Sequence, residues 1–523
     1  MTALLIALLL LPLLGAAATL APAAVFGPDE ATRERRALTF NAVVSGLVLA
    51  LAVALAAAFD HAHPGRMQGV TDLRWIPAID VRFHLGVDGV SLPLVVLTAL
   101  LTFLCAVYST KRRPTGEGTP SAVSFTGLFL LLETGMLATF LVLDLLLFFL
   151  AFEIVLIPMY FLIARWGSGA RTASANRFIL YTLLGSAVML LGFLLIGLKA
   201  GTFDMTALAA AHGQGLSHST QVLAALAIGL GLAVKAPAWP LHSWLPDAHT
   251  SAPTVGSVLL AGVLLKMGTY GMVRVLIPIV PDGTSTFAPY LGALGAVGIV
   301  YGSLACLSLA RPGRGGDLKR LIAYSSVGHM GFVLLGIASL TPVGINGALF
   351  ANIAHGLITG LLFFLVGSLK DRYKTADLDT LAGADTFSGG AALYGRAPRL
   401  GALLAFAAVA SLGLPGLAGF WGELLAMFGA FHPGAGLSRP AFLTYMALAG
   451  LGTLLTAAYL LVVVRRVCMG DPAQPAVAQP AELRGYEAVS WTPLAALTLV
   501  AGLWPALLLT LSDPVVKQLL AVG

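Results

Sequence analysis

The chain has 523 residues, of which 58% are hydrophobic and only 10% charged, with a mean hydropathy of +0.91 and a net charge of +6. A soluble domain of this length needs a far more polar surface, so a soluble enzyme is excluded. The positive charge is scattered between apolar runs, which removes nucleic acid as a partner and leaves the lipid bilayer.

Apolar runs of about 18 or more residues recur from end to end, each long enough to cross a hydrocarbon core of about 30 Å. Spans are predicted at 3–24, 38–58, 88–108, 124–143, 145–164, 178–198, 221–240, 254–277, 287–309, 320–339, 345–368, 400–429, 441–464 and 491–511. That is about fourteen helices, with no linker long enough for a soluble domain. Lipid offers no partner to a backbone amide, so the predicted fold is an all-α polytopic membrane protein. The first span, with its Ala-rich end at Ala16–Ala24, mimics a signal peptide but lacks a basic leader, since the chain starts Met1-Thr2-Ala3; it is expected to be retained. The segments near 59–86 and 471–490 read as extended loops.

Charges then enter the spans. An ionised group at the bilayer centre costs roughly 2.5–3.5 kcal/mol on insertion scales, so each needs a partner, water or a role. Glu133 lies in the fourth span as a possible side branch. Asp144 begins the fifth at a tight turn, where an acid favours a helix N-terminus and capping is the expected role. Glu153 is near the middle of the fifth span and Lys235 near the end of the seventh. As a pair they are either a coupled proton site or a static ion pair pinning two helices. Lys235 is followed by Pro237 and Pro240, which remove backbone donors and predict a broken helix. His242, Asp247 and His249 have spacing that invites a metal, but they read better as the polar loop joining the seventh and eighth spans. Lys266 is at mid-depth in the eighth, either a proton carrier or a cap on the freed carbonyls of its broken neighbour.

His329 and His355 lie inside the tenth and eleventh spans. Each alone reads equally as a hydrogen-bonded core residue; between Lys266 and Glu423 they gain weight as a proton bridge, with Tyr324, Ser325 and Ser326 near for waters. The twelfth span carries Gly413-Leu414-Pro415-Gly416 half-way along, so Pro415 predicts a second break, and Glu423 follows. Breaks in spans seven and twelve, five apart, predict two repeats over spans 4–8 and 9–13. Five is odd, so the second repeat would be inverted in the membrane. The expected division is 1–120 for the N-terminal spans, 121–280 for the first half-channel, 281–466 for the second, and 467–523 for the last loop and helix.

Gly292, Gly295 and Gly298 imitate a dinucleotide fingerprint but sit in a membrane span, where helix packing is the better reading. No phosphate-binding loop is present in the sequence, and Cys105, Cys306 and Cys468 are too far apart for a metal or iron–sulfur site. Lysines and arginines in odd loops outnumber those in even loops and the C-terminal tail 21 to 7, and Lys235 and Lys266 complete the 30. The positive-inside rule therefore predicts odd loops in the cytoplasm and both termini outside.

Three segments carry a family likeness: VKAPAWPLHSWLPDAHTSAPTVGSVLLAGVLLKMGTYG over Val234–Gly271, DLKRLIAYSSVGHMG over Asp317–Gly331, and FFLAFEIVLIPMYFLI over Phe148–Ile163. They resemble the antiporter-like subunits of respiratory complex I along nearly the whole chain. Glu423, where L-type and N-type subunits and related antiporters carry lysine, resembles the M-type; the length agrees, since an L-type chain continues past about 600 residues into a lateral helix. The resemblance implies that Glu153 and Lys235 form the coupled pair of a first half-channel, that Lys266 is the central carrier, and that His329 and His355 bridge to Glu423. It implies a translocase subunit of the bacterial inner membrane, beside L-type and N-type neighbours, without a cofactor of its own. Flavin mononucleotide, iron–sulfur clusters and quinone would belong to other subunits. A subunit of a multisubunit cation/proton antiporter, a membrane subunit of a hydrogenase complex, and a structural spacer are the competing readings.

Overall fold

The computed structural model describes residues 1–27, 29–112, 121–383, 390–470 and 482–521. It is a bundle of long apolar helices. Among the described residues eleven helices are long and apolar enough to cross a membrane: Glu30–Ala58, Ser91–Lys111, Ala122–Leu141, Leu145–Trp166, Arg171–Ala200, His218–Lys235, Thr254–Ile279, Pro281–Ala310, Leu318–Ala338, Pro342–Tyr373 and Arg439–Cys468. Gly485–Leu503 and Ala506–Leu519 make a twelfth if counted as one span, although the chain bends by 67° between them. The sequence reading drew one straight helix there; Pro505, which lacks an amide hydrogen, stands at the bend. Thr2–Ala18, Pro398–Ser411 and Ala418–Phe431 are shorter apolar helices.

The expectation of an all-α chain needs one correction. Within 59–86, read as a loop, β1 (Gln68–Ile76) pairs antiparallel with β2 (Val81–Val87). The hairpin is tied to the bundle by the His84 carbonyl, which accepts from Leu143 N (2.9 Å), and by the His84 ring, 2.7 Å from Asp204. Of the other predicted loop, 471–481 lies outside the described residues, and a helix already begins at Gly485.

Two helices form the centre. Pro342–Tyr373 has 32 residues, about 48 Å at 1.5 Å per residue, longer than the hydrocarbon core. Thr254–Ile279 is buried along its length and contains two wider π-helical turns, Leu260–Leu264 and Met272–Leu276. Small residues bring the pair together. A Cβ on Gly356 would stand 3.0 Å from the Gly262 carbonyl, and one on Gly262 would stand 3.8 Å from the Gly356 carbonyl. Small residues of this kind let two membrane helices approach closely.

Two chain crossings have the same construction. Asp144, capping Leu145–Trp166, bridges to Asp204, which caps the short helix Met205–Ala211; Asp317, capping Leu318–Ala338, bridges to Asp377, which caps Leu378–Ala382. In the first, Leu145 N donates to Phe203 O and Met205 N to Leu143 O (2.9 and 2.8 Å). In the second, Leu318 N donates to Ala376 O and Leu378 N to Gly316 O (both 2.8 Å).

Candidate functional site

Both prolines-and-glycines segments interrupt their helices. His218–Lys235 ends at Lys235, and helix resumes only at Trp244. With Pro237 and Pro240 in the gap, the Val234 carbonyl has no helical donor and accepts from the Trp244 indole instead (3.0 Å). Pro398–Ser411 stops before Pro415, where Gly413 and Gly416 take φ of +79° and +92°, left-handed values that a side chain disfavours. Ala418–Phe431 then carries Glu423 back into the bundle.

Lys235 faces Glu153 across this first break, but no contact ion pair joins them. Its ammonium lies 4.6 Å over the Phe152 ring, a cation–π contact, and has no hydrogen-bond partner. One Glu153 carboxylate oxygen is likewise buried without a partner, and Ser186 is the polar neighbour of that carboxylate. Two opposite charges held close without direct contact leave room between them for exchangeable protons.

A tighter row begins at Lys266. Its Nζ donates to the Ala261 carbonyl (2.6 Å), five residues back across the π turn, and lies 2.6 Å from His355 Nδ1. The His355 and His329 ring centroids are 5.8 Å apart. His329 Nδ1 is 3.0 Å from Glu423 Oε1, and its Nε2 is 2.9 Å from Ser411 Oγ. His355 Nε2 is buried with no partner, and a cavity of about 20 Å³ opens between the two histidines, Thr359, Ser411 and Glu423, enough for one water. The structure thus brings four of the six residues singled out by sequence into one row, with Glu153 and Lys235 as a separate pair.

The other polar residues divide. Asp144 caps its helix as expected, accepting from Leu146 N and Leu147 N. Glu133 is fully buried and takes hydrogen bonds from Thr102 (2.6 Å) and Ser45 (2.8 Å), so it ties three helices together and touches no cation. His242, Asp247 and His249 do not converge. His242 lies edge-on to Tyr301, Asp247 pairs with Arg177 and Arg320, and His249 stacks on Phe363 at 4.6 Å with both ring nitrogens unpartnered. Among the described residues no group of three or more His, Cys, Asp or Glu could hold a metal ion. Sequence reasoning missed Ser411, because a serine in a membrane helix usually bonds its own backbone. It also missed the buried ion pair of Asp88 with Arg274 (2.7 Å), having counted Arg274 among the loop charges although it lies in the last turns of Thr254–Ile279.

Comparison with known proteins adds a second line of evidence. Residues 142–449 match the family model described as NADH:quinone oxidoreductase/Mrp antiporter, TM. NADH-quinone oxidoreductase subunit M of Rhodobacter capsulatus is 38% identical over 97% of this chain and 94% of its own length. A chain of respiratory complex I from Thermus thermophilus superposes with a TM-score of 0.82 at 29% identity, covering 99% of this chain and 100% of that one. A chain of the Mrp complex from Dietzia sp. DQ12-45-1b reaches 0.80 at 25% identity, covering 99% and 97%. The likeness first read from Val234–Gly271 and Glu423 holds over the full length: this chain belongs to the NADH:quinone oxidoreductase/Mrp antiporter family and, within it, to the M subunits of NADH-quinone oxidoreductase.

Proposed function

We propose that this chain is a proton-translocating subunit in the membrane arm of an NADH-quinone oxidoreductase, beside L-type and N-type neighbours in a bacterial plasma membrane, with NADH oxidation and quinone reduction in other subunits. One observation carries the reading: a row of titratable groups, Lys266, His355, His329 and Glu423, crosses the buried centre of the bundle within hydrogen-bond or one-water reach. No soluble substrate could reach this row, whereas protons can pass along it. Flavin, iron–sulfur clusters and quinone belong to partner subunits, and the role of this chain is non-redox.

Glu153 and Lys235 are the coupled pair of the first half-channel. A charge or conformational change arriving from the redox arm alters their balance, Lys266 loads or unloads in response, and His355 and His329 hand the proton to Glu423. Moving one charge against 100 mV costs about 2.3 kcal/mol. A proton affinity that swings by two pH units supplies about 2.7 kcal/mol, so one modest electrostatic perturbation covers that step.

The finer architecture fits the same reading. Counting Thr2–Ala18 and the broken pair Pro398–Ser411 with Ala418–Phe431 beside the twelve spans gives about fourteen. The twin aspartate crossings support two repeats: each follows a span, meets a short capped helix, and precedes an interrupted span. With odd loops inside, the first crossing faces outward and the second inward, as an inverted repeat requires. Both termini are then outside, and 121–280 and 281–466 are the two half-channels.

The test is Glu153→Ala or Lys266→Ala in the native chain, assayed in sealed membrane vesicles. Proton translocation should be lost while the complex still assembles on native gels. An unchanged proton yield per NADH in either variant would remove the pathway.

A further inference from the structure

A second cavity, about 390 Å³, lies away from the buried row. It is at the end of the bundle where the even loops run. Met205–Ala211 forms one wall and Ala506–Leu519 another, with Arg66 and His212 lining it. Its buried lining includes Asp88 and Arg274, 0% and 4% exposed. The ion pair is lopsided. Asp88 Oδ1 accepts from Val90 N and Ser91 N (3.0 Å each) and from Arg274 Nη2 (2.7 Å), whereas Oδ2 is buried with no partner. Arg274 Nε is turned the other way, donating to the Tyr270 hydroxyl (3.3 Å), which itself donates to Phe140 O.

A buried ion pair that serves only to pin helices gains most when every lone pair is satisfied, since the desolvation cost is otherwise poorly offset. Here three donors crowd one oxygen and the other is left without a partner, on a residue that lines the cavity. Tyr270 stands between Arg274 and Lys266, four residues from each, and the eight residues from Lys266 to Arg274 span about 12 Å of rise. We propose that Asp88 is a proton-release site of the first half-channel, opening to the outer face independently of Glu423. A proton from the interior is taken up at Asp88 Oδ2 and leaves to water in the cavity, returning the group to the carboxylate. Arg274 is a positioning residue that fixes which oxygen is free, and Tyr270 is the polar step toward Lys266. The other titratable groups facing the cavity are Arg66 and His212.

This inference rests on the translocation reading, so the assay carries Glu153→Gln as its control. In the assembled complex in sealed vesicles, Asp88→Asn keeps the shape and an acceptor for the three donors but cannot carry the proton; fewer protons should move per NADH. The neutral pair Asp88→Asn with Arg274→Gln removes the charge imbalance of the single change and should not restore the yield. Ala209→Cys, on the cavity wall, should react with a membrane-impermeant maleimide from the outside only, and the adduct should lower the yield. Full yield in the neutral pair, or an adduct without effect, would make Asp88 and Arg274 a structural pin. If Asp88→Asn does not assemble, the Ala209→Cys adduct decides. Full yield in Glu153→Gln would instead overturn the translocation reading itself.

Discussion

His329 holds the second half of the buried row together, because each ring nitrogen has a different partner. One meets Glu423 and the other Ser411, so among the described residues the ring is the direct hydrogen-bonded link from the carboxylate toward the rest of the row. Leaving a buried acceptor unpaired costs about 1–3 kcal/mol, and His329→Ala does this to Glu423 while enlarging the cavity beside it. The informative variant is His329→Gln, which can still hydrogen-bond but cannot take up a proton. Translocation should be lost in both, whereas the melting temperature of the purified complex should fall only with alanine. Wild-type proton yield in His329→Gln would show that the ring acts through shape alone. Residues of this kind were legible in the sequence because a charge or imidazole within a membrane span is expensive and therefore rare. Ser411, Gly262 and Gly356 were not: serine and glycine cost little there, and only the partner across the interface gives them meaning. Arg274 was hidden for a third reason. It lies near a helix end, where hydropathy alone does not distinguish a buried ion pair from a loop charge.

At the scale of elements, the row depends on how closely two helices approach. Lys266 is one turn from Gly262, and His355 adjoins Gly356, so the glycine contact sets the 2.6 Å separation of the two side chains. A Cβ at Gly356 would stand 3.0 Å from the Gly262 carbonyl of Thr254–Ile279, and 2.7 Å from Leu97 of Ser91–Lys111. Gly356→Leu must therefore push Pro342–Tyr373 away from Thr254–Ile279, and overpacking of this kind typically costs about 1–3 kcal/mol. The expected result is an assembled complex with a lower melting temperature and a proton yield reduced more than the stability loss explains, because Lys266 no longer reaches His355. An equal proton yield in a destabilised complex would place the row's geometry outside the mechanism. Hydropathy located the spans well, since about 18 apolar residues admit few other readings, and the prolines located both breaks. The hairpin escaped because only long apolar runs were sought: Val81-Arg82-Phe83-His84-Leu85-Gly86-Val87 and Asp72-Leu73-Arg74-Trp75 alternate apolar and polar residues, the period of a strand. The π turns escaped because nothing in local composition separates them from ordinary helix; they arise from packing against buried neighbours.

For the molecule as a whole, the decisive question is whether its two halves are the same device turned over. Each half has a capped span, a return span, a short capped helix and an interrupted helix, with an aspartate pair bridging the two caps. If the halves were parallel, both crossings would lie on one face of the membrane, and one side of the row would have no counterpart route to the opposite face. If they are inverted, the crossings lie on opposite faces, and the two halves offer access from opposite sides to a row that begins in one and ends in the other. That arrangement would let a proton cross without either half opening fully. The prediction needs no knowledge of mechanism. Single cysteines at Ala207, in the short helix beside the first crossing, and at Arg314, in the exposed loop before the second, should react with an impermeant maleimide from opposite sides of intact cells and inverted vesicles. Ala207→Cys should label from outside and Arg314→Cys from the cytoplasm. Labelling of both from the same side would break the inverted repeat and, with it, the count of spans between them, because an odd number of crossings must separate two positions on opposite faces.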